Sequence, residues 1–295
     1  MDNQNILHCS PYSQKMYAKS GTCYSTKELH FIVKEYNKLT KSEEDKISIT
    51  NKTKKNLHRE LSNKFKHLCK KELCWANQIK NEKFKNKIED SFRPLKPKEW
   101  YTNKQTWLNT YDILYVMEQY HKLYKNFKFM GVYPIDFASY YNNGDCIGDN
   151  LCNFNIKNLP SKITQFGIIL NLDYHNQPGS HWVAIYCNLN QKNNNFGIYY
   201  YDSVANEPPK EAIEFMNLVK SQVNLKKNIN FELKYNKIQK QFDNYDCGMF
   251  SIIFLTQCLK YIPFDFICKN MKTDKEINDL RNVIYHPSQK SNVGI

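Results

Sequence analysis

SHWVAIYCNLNQKNNNFGIYYYD, residues 180–202, sets two runs rich in Val, Ile, Phe and Tyr on either side of a polar, turn-forming segment. That is the pattern of a β-hairpin. Positions 181 and 202 are nearly symmetric about the turn, so antiparallel pairing brings His181 at the start of one strand beside Asp202 at the end of the next. A carboxylate against an imidazole fixes the tautomer of the ring and holds its protonated form, which is the base-and-orienter half of a nucleophilic triad. Two alternatives stay open: Asp202 as a strand-end turn residue only, and Asn206 as the orienter.

The matching nucleophile stands in QFDNYDCGMFSII, residues 241–253, where a polar loop runs straight into an apolar helix. Cys247 caps or opens that helix, where unsatisfied amides and the positive dipole end favour a thiolate, as does a nearby imidazolium. Gly248 is read as permitting close approach by a substrate backbone. Met249, Phe250, Ile252 and Ile253 anchor the helix in the core, so the sulfur is held rigidly.

Working outward, residues 165–172 form a further strand and 228–238 another, with helices over 208–223 and 248–261. Asn109 or Thr110 caps a helix whose buried face carries Ile113, Val116, Met117 and Tyr120. Nearer the N-terminus, Ser25 and Glu28 make a capping box for a helix ending near Lys38, and a second helix runs from Asn56 towards Glu72. The two prolines of RPLKPK, residues 93–98, stop any helix there and mark a boundary between a mainly helical domain, 1–95, and a second domain, 96–295.

With 41% hydrophobic and 14% aromatic residues the chain can fill a core, which excludes global disorder. Residues 1–100 carry 22 Lys and Arg against 12 Asp and Glu, so +10 of the +13 net charge lies in the first third. Such asymmetry suits contact with nucleic acid, an anionic membrane or an acidic protein, or is a solvated helical face. Ten irregularly placed cysteines and a polar N-terminus without a secretory pattern point to a reducing compartment, with the other cysteines as small buried residues or surface thiols. His67, Cys69 and Cys74 invite a zinc reading, set aside because on a continuous helix the two sulfurs point apart; Cys146 and Cys152 are assigned no role. The apolar run at 250–255 is far too short to span a bilayer.

His181-Trp182, then Asp202, then Gln241 six residues before Cys247-Gly248 is an order that resembles the adenovirus-type and ubiquitin-like-protein-specific cysteine proteases, above all the polyprotein-processing enzymes of African swine fever virus and other large DNA viruses. The resemblance covers about residues 100–270. Asp243-Asn244 departs from it, standing where cellular deconjugating enzymes often carry Asn-Gly. The family implies an α+β, papain-like fold with a central mixed sheet flanked by helices, here with an N-terminal helical arm. It implies a Cys247–His181–Asp202 triad, Gln241 as an oxyanion donor, Trp182 as the wall of a cleft that favours glycine, and no metal or cofactor. The activity implied is cleavage of viral structural polyproteins at Gly-Gly-Xaa by a monomer, in the virion and at assembly sites in the host cytoplasm, with the basic arm on nucleic acid or core protein. Deconjugation of a ubiquitin-like modifier, and an idle fold serving as a nucleic-acid or scaffold-binding module, are the alternatives.

Overall fold

The structure, a computed structural model, describes residues 8–17, 20–69, 71–224 and 230–286. The chain divides into two compact units, Met1–Lys96 with Asn282–Ile295, and Pro97–Arg281.

In the first unit the helices are α1 (Pro11–Tyr17), α2 (Thr26–Leu39), α3 (Lys54–Phe65) and α4 (Glu82–Glu89). The Ser25–Glu28 capping box is present at the head of α2, and Leu29, Ile32 and Val33 on its buried face meet Leu57, Leu61 and Phe65 of α3 in one core with Tyr24, Trp75 and Phe92. α3 is shorter than the sequence suggests. It stops at Phe65, Cys69 and Cys74 sit beyond it, and their sulfurs bond instead of diverging. Cys9–Cys23 and Cys146–Cys152 are also disulfides, with Cα separations of 5.2, 5.5 and 5.9 Å for Cys9–Cys23, Cys69–Cys74 and Cys146–Cys152, inside the range that a bridge requires. The reading of these six as separate thiols is therefore corrected: loops and helix ends bring together residues that sequence spacing alone left apart.

The first unit also takes in chain from the far end. The extended backbone around the expected boundary leaves peptide groups open, and His286 fills them, donating to Pro94 O and accepting from Lys96 N, both at 2.7 Å. Residues 282–286 thus group with the first unit.

The second unit holds a five-stranded sheet in the order β1 (Phe127–Pro134), β2 (Gln165–Asn171), β3 (Trp182–Asn188), β4 (Gly197–Tyr201), β5 (Glu232–Tyr235). Its centre is antiparallel and its two outer pairs are parallel. β2, β3 and β4 are buried at every position, which is why they read as continuous apolar runs. Asn228 and Ile229, expected in the last strand, lie outside the described residues.

Helices cover the sheet: α5 (Thr110–Leu123), capped by Asn109, packs on β1, and α6 (Lys210–Asn224) brings Ala212, Phe215, Met216 and Val219 onto the face carrying Phe166, Val183, Ile185 and Ile198. On the other face lies α7 (Cys247–Cys258), followed by α8 (Phe264–Asn270) and α9 (Asp274–Ile284). Phe254 of α7 stacks on Tyr201 and Phe264 of α8 on Tyr199. α7 is apolar all round and buried along almost its whole length, as a central helix must be. Among the described residues no helix is long and apolar enough to cross a membrane.

Candidate active site

The β3–β4 register pairs Ala184 with Tyr201. Continued by one step it sets Asp202 opposite Val183, two positions from His181. Because side chains alternate with period two, that stagger leaves His181 and Asp202 on one face as a diagonal pair rather than directly opposed. The side chains close the remaining distance: His181 Nε2 lies 2.7 Å from Asp202 Oδ1.

Asp202 is fully buried and rigidly held. Its backbone N–H donates to Asn236 Oδ1 at 2.8 Å, its carbonyl accepts from Asn236 Nδ2 at 2.6 Å, and Oδ1 also accepts from Val204 N at 2.9 Å. Asn206, the alternative orienter, is exposed.

The Cys247 side chain hydrogen-bonds the same ring. Burial pushes the His181 imidazole towards its neutral form, but the hydrogen bonds to Asp202 and Cys247, and the charges on both, outweigh it and raise the ring to about 9. The ring is therefore an imidazolium at neutral pH and loses its proton only as the pH rises through that value.

Cys247 is the first residue of α7, and the first bond within the helix runs from Phe250 N to Asp246 O at 3.0 Å. The amides of Cys247, Gly248 and Met249 precede it, so the positive end of the helix surrounds the sulfur. Cys187, Cys258 and Cys268 are buried thiols too, but burial pushes all three up, and they belong to strand and helix packing.

Gln241 is buried and its amide is orientated by obligate acceptors. Nε2 donates to Asp243 O at 3.1 Å and Asp243 Oδ1 at 3.0 Å, so Oε1 must face the Ser203 hydroxyl, which donates to it at 2.5 Å. Asp243 Oδ1 also accepts from Tyr245 N and Asp246 N, both at 3.1 Å, shaping the turn into Cys247. Asp243 thus builds the loop through a single oxygen, Oδ1, which accepts from Gln241, Tyr245 and Asp246 together.

At Gly248 a Cβ would lie 3.1 Å from Leu108 Cβ and 3.2 Å from Trp182 Cδ1, so the missing side chain lets these two residues pack against the head of α7. Trp182 donates Nε1–H to Leu108 O at 3.0 Å and joins Leu108, Asn109, Tyr133, Asp173 and His175 around a cleft of 450 Å³. That cleft ends at Trp182; His181, Asp202 and Cys247 are not part of its lining. Sequence marks Asp243 only as a departure from the family pattern and does not single out Ser203, Asn236 or Leu108. Ser203 adjoins Asp202, whereas Asn236 and Leu108 carry no local signal.

Against known proteins, residues 153–288 match the model of the Ulp1 protease family, C-terminal catalytic domain. A thiol protease of Acanthamoeba polyphaga mimivirus is 30% identical over 299 residues, covering 94% of this chain and 92% of its own. The chain belongs to the Ulp1 family of cysteine proteases. African swine fever virus (isolate Tick/Malawi/Lil 20-1/1983) has a cysteine protease 28% identical over 120 residues, which spans 41% of this Ulp1-family protease and 43% of the viral relative. The fold agrees as well: the selenomethionine crystal structure of the African swine fever virus protease superposes with a TM-score of 0.65 over 96% of this chain and 97% of that one, at 19% identity. His181, Asp202, Gln241 and Cys247 all fall within the matched family region.

Proposed function

We propose that this Ulp1-family protease is a viral endopeptidase in which Cys247 attacks a peptide carbonyl, His181 moves the protons and Asp202 holds His181, with structural polyproteins cut after Gly-Gly during virion maturation. The observation that carries the reading is a single imidazole bonded on one side to a buried carboxylate at 2.7 Å and on the other to a cysteine at the head of a buried helix.

In the first step the Cys247 thiolate adds to the carbonyl carbon. The developing oxyanion meets the Cys247 backbone N–H and, once one of its bonds to Asp243 is released, a Gln241 Nε2–H, and collapse to the thioester releases the amine with a proton from His181. In the second step His181 takes a proton from water, the hydroxide attacks the thioester, and the thiolate leaves with the acid product. No cofactor takes part.

A preference for glycine is supported by confinement. Cys247 is 2% and Trp182 6% exposed, which leaves little room for a substrate side chain next to the scissile bond. The viral setting is supported by the mimivirus relative, matched over nearly its whole length. Action in the virion and at cytoplasmic assembly sites follows from that setting. A second reading, modifier deconjugation, is favoured by the name of one relative, the SUMO-1 cysteine protease of African swine fever virus (isolate Pig/Kenya/KEN-50/1950).

Purified full-length protein should be offered Gly-Gly-Xaa peptides and a diglycine-linked ubiquitin-like precursor. Cleavage after the second glycine, falling at least about tenfold when either glycine becomes alanine, is the expected result. Turnover of the precursor alone would establish deconjugation, and turnover of neither would leave an idle binding fold.

For the basic arm, contact with nucleic acid or an acidic core protein is proposed on the charge excess of residues 1–100. Exchanging the exposed Lys55, Arg59, Lys66 and Lys71 for glutamine should weaken retention on DNA and flatten its salt dependence; unchanged retention would assign the charge to solvation.

A further inference from the structure

Arg281 on α9 is 2% exposed and spends its guanidinium on two segments at once. Nε donates to Asp246 Oδ1 at 2.9 Å, and Nη2 lies 2.7 Å from the same oxygen while donating to Tyr245 O at 3.0 Å. Nη1 turns the other way and donates to Thr106 O at 2.7 Å and Lys104 O at 3.2 Å. The guanidinium carbon sits 4.4 Å over the Trp100 ring. One turn earlier Asn278 Nδ2 donates to both Asp246 oxygens at 3.2 and 3.1 Å.

Tyr245 and Asp246 are the two residues immediately before Cys247. The 104–106 segment leads into Trp107 and Leu108, which line the cleft, and Leu108 in turn receives the Trp182 indole N–H. One buried cation therefore joins the turn that carries the sulfur to the segment that forms the cleft wall. Its charge has a second consequence. Asp246 places a fully buried carboxylate next to the nucleophile, where an uncompensated negative charge opposes a thiolate. Burial pushes Asp246 up to about 6, and Arg281 and Asn278 act against that rise, while the carboxylate of Asp243 adds to it.

We infer that Arg281 is a positioning residue for the cleavage reaction, holding the Tyr245–Asp246 turn and the 104–108 cleft wall in one frame so that Cys247 and the bound peptide meet in register. This rests on the reading of Cys247 as the nucleophile.

Three variants of the full-length protein test it. Arg281→Lys keeps a positive charge but cannot fork between Asp246 and three carbonyls, and should lose about tenfold to a hundredfold in kcat while KM moves by less than about threefold. Single removal of either charge strands its partner and can unfold the protein, so the second variant is the double Asp246→Leu, Arg281→Met, which removes both charges and leaves no buried ion unpaired. It should melt near the wild-type temperature yet show the same loss in kcat, with slower alkylation of Cys247 by iodoacetamide followed by peptide mass mapping. A merely structural pair predicts the opposite: either variant, once folded, with kcat and Cys247 alkylation within about twofold of wild type overturns the inference. The third variant, Cys247→Ala, separates the two levels. If it abolishes cleavage while the Arg281 variants cleave normally, the nucleophile stands and the positioning role falls; if it cleaves, the nucleophile reading itself has failed.

Discussion

Replacing Cys247 with alanine is expected to lower kcat/KM on a Gly-Gly peptide by about a millionfold, the scale on which a triad nucleophile fails. His181→Ala should fall about as far, and the double variant should be within about threefold of either single one, since the two residues act as one unit. The reason is visible in the geometry. His181 is bonded to Asp202 and Cys247 together, so on the proposed mechanism removing the sulfur deletes the nucleophile, and removing the ring deletes both the charge that supports the thiolate and the proton that the leaving amine needs. Asp202→Asn preserves an oxygen that can accept from Nε2 and should be milder than Asp202→Ala. The measurement is single-turnover cleavage, with far-ultraviolet circular dichroism to establish that each variant is folded. Losses in the two single variants that add in the double one would mean that the residues act separately.

The second large effect belongs to Gln241. Gln241→Ala should cost about a hundred- to a thousandfold in kcat, corresponding to about 2.7–4 kcal/mol, with KM little changed, because on the proposed mechanism its bond to the oxyanion forms only in the transition state. Gln241→Glu should be worse than alanine. It exchanges the donor for an acceptor facing the Asp243 carboxylate and carbonyl, which now lie 3.0 and 3.1 Å from Nε2. A change confined to KM would show instead that Gln241 binds the ground state and that the oxyanion is stabilised elsewhere.

How much of this was legible depends on how local each signal is. The hairpin of residues 180–202 and the loop-to-helix passage at 241–253 announce themselves, because a run buried on both faces and a polar-to-apolar switch are patterns within about twenty residues. β1 did not. Lys128, Gly131 and Pro134 punctuate FKFMGVYP as a turn would, and the strand also shifts register between Phe129 and Gly131. The α3 terminus was missed for a related reason: nothing in the charged stretch after Phe65 is a strong helix breaker, so the stop comes from packing and is finished by the Cys69–Cys74 bond.

By itself, then, the sequence determined the α+β pattern, the hairpin that joins His181 to Asp202, and the helix that starts at Cys247, because each is carried by neighbours in the chain. Only the tertiary structure decided which way the Gln241 amide faces, which cysteines pair, and that Arg281 reaches back to residues 104, 106, 245 and 246. Those are choices among partners distant in sequence, and they are settled by which buried donors and acceptors the packed core leaves for one another.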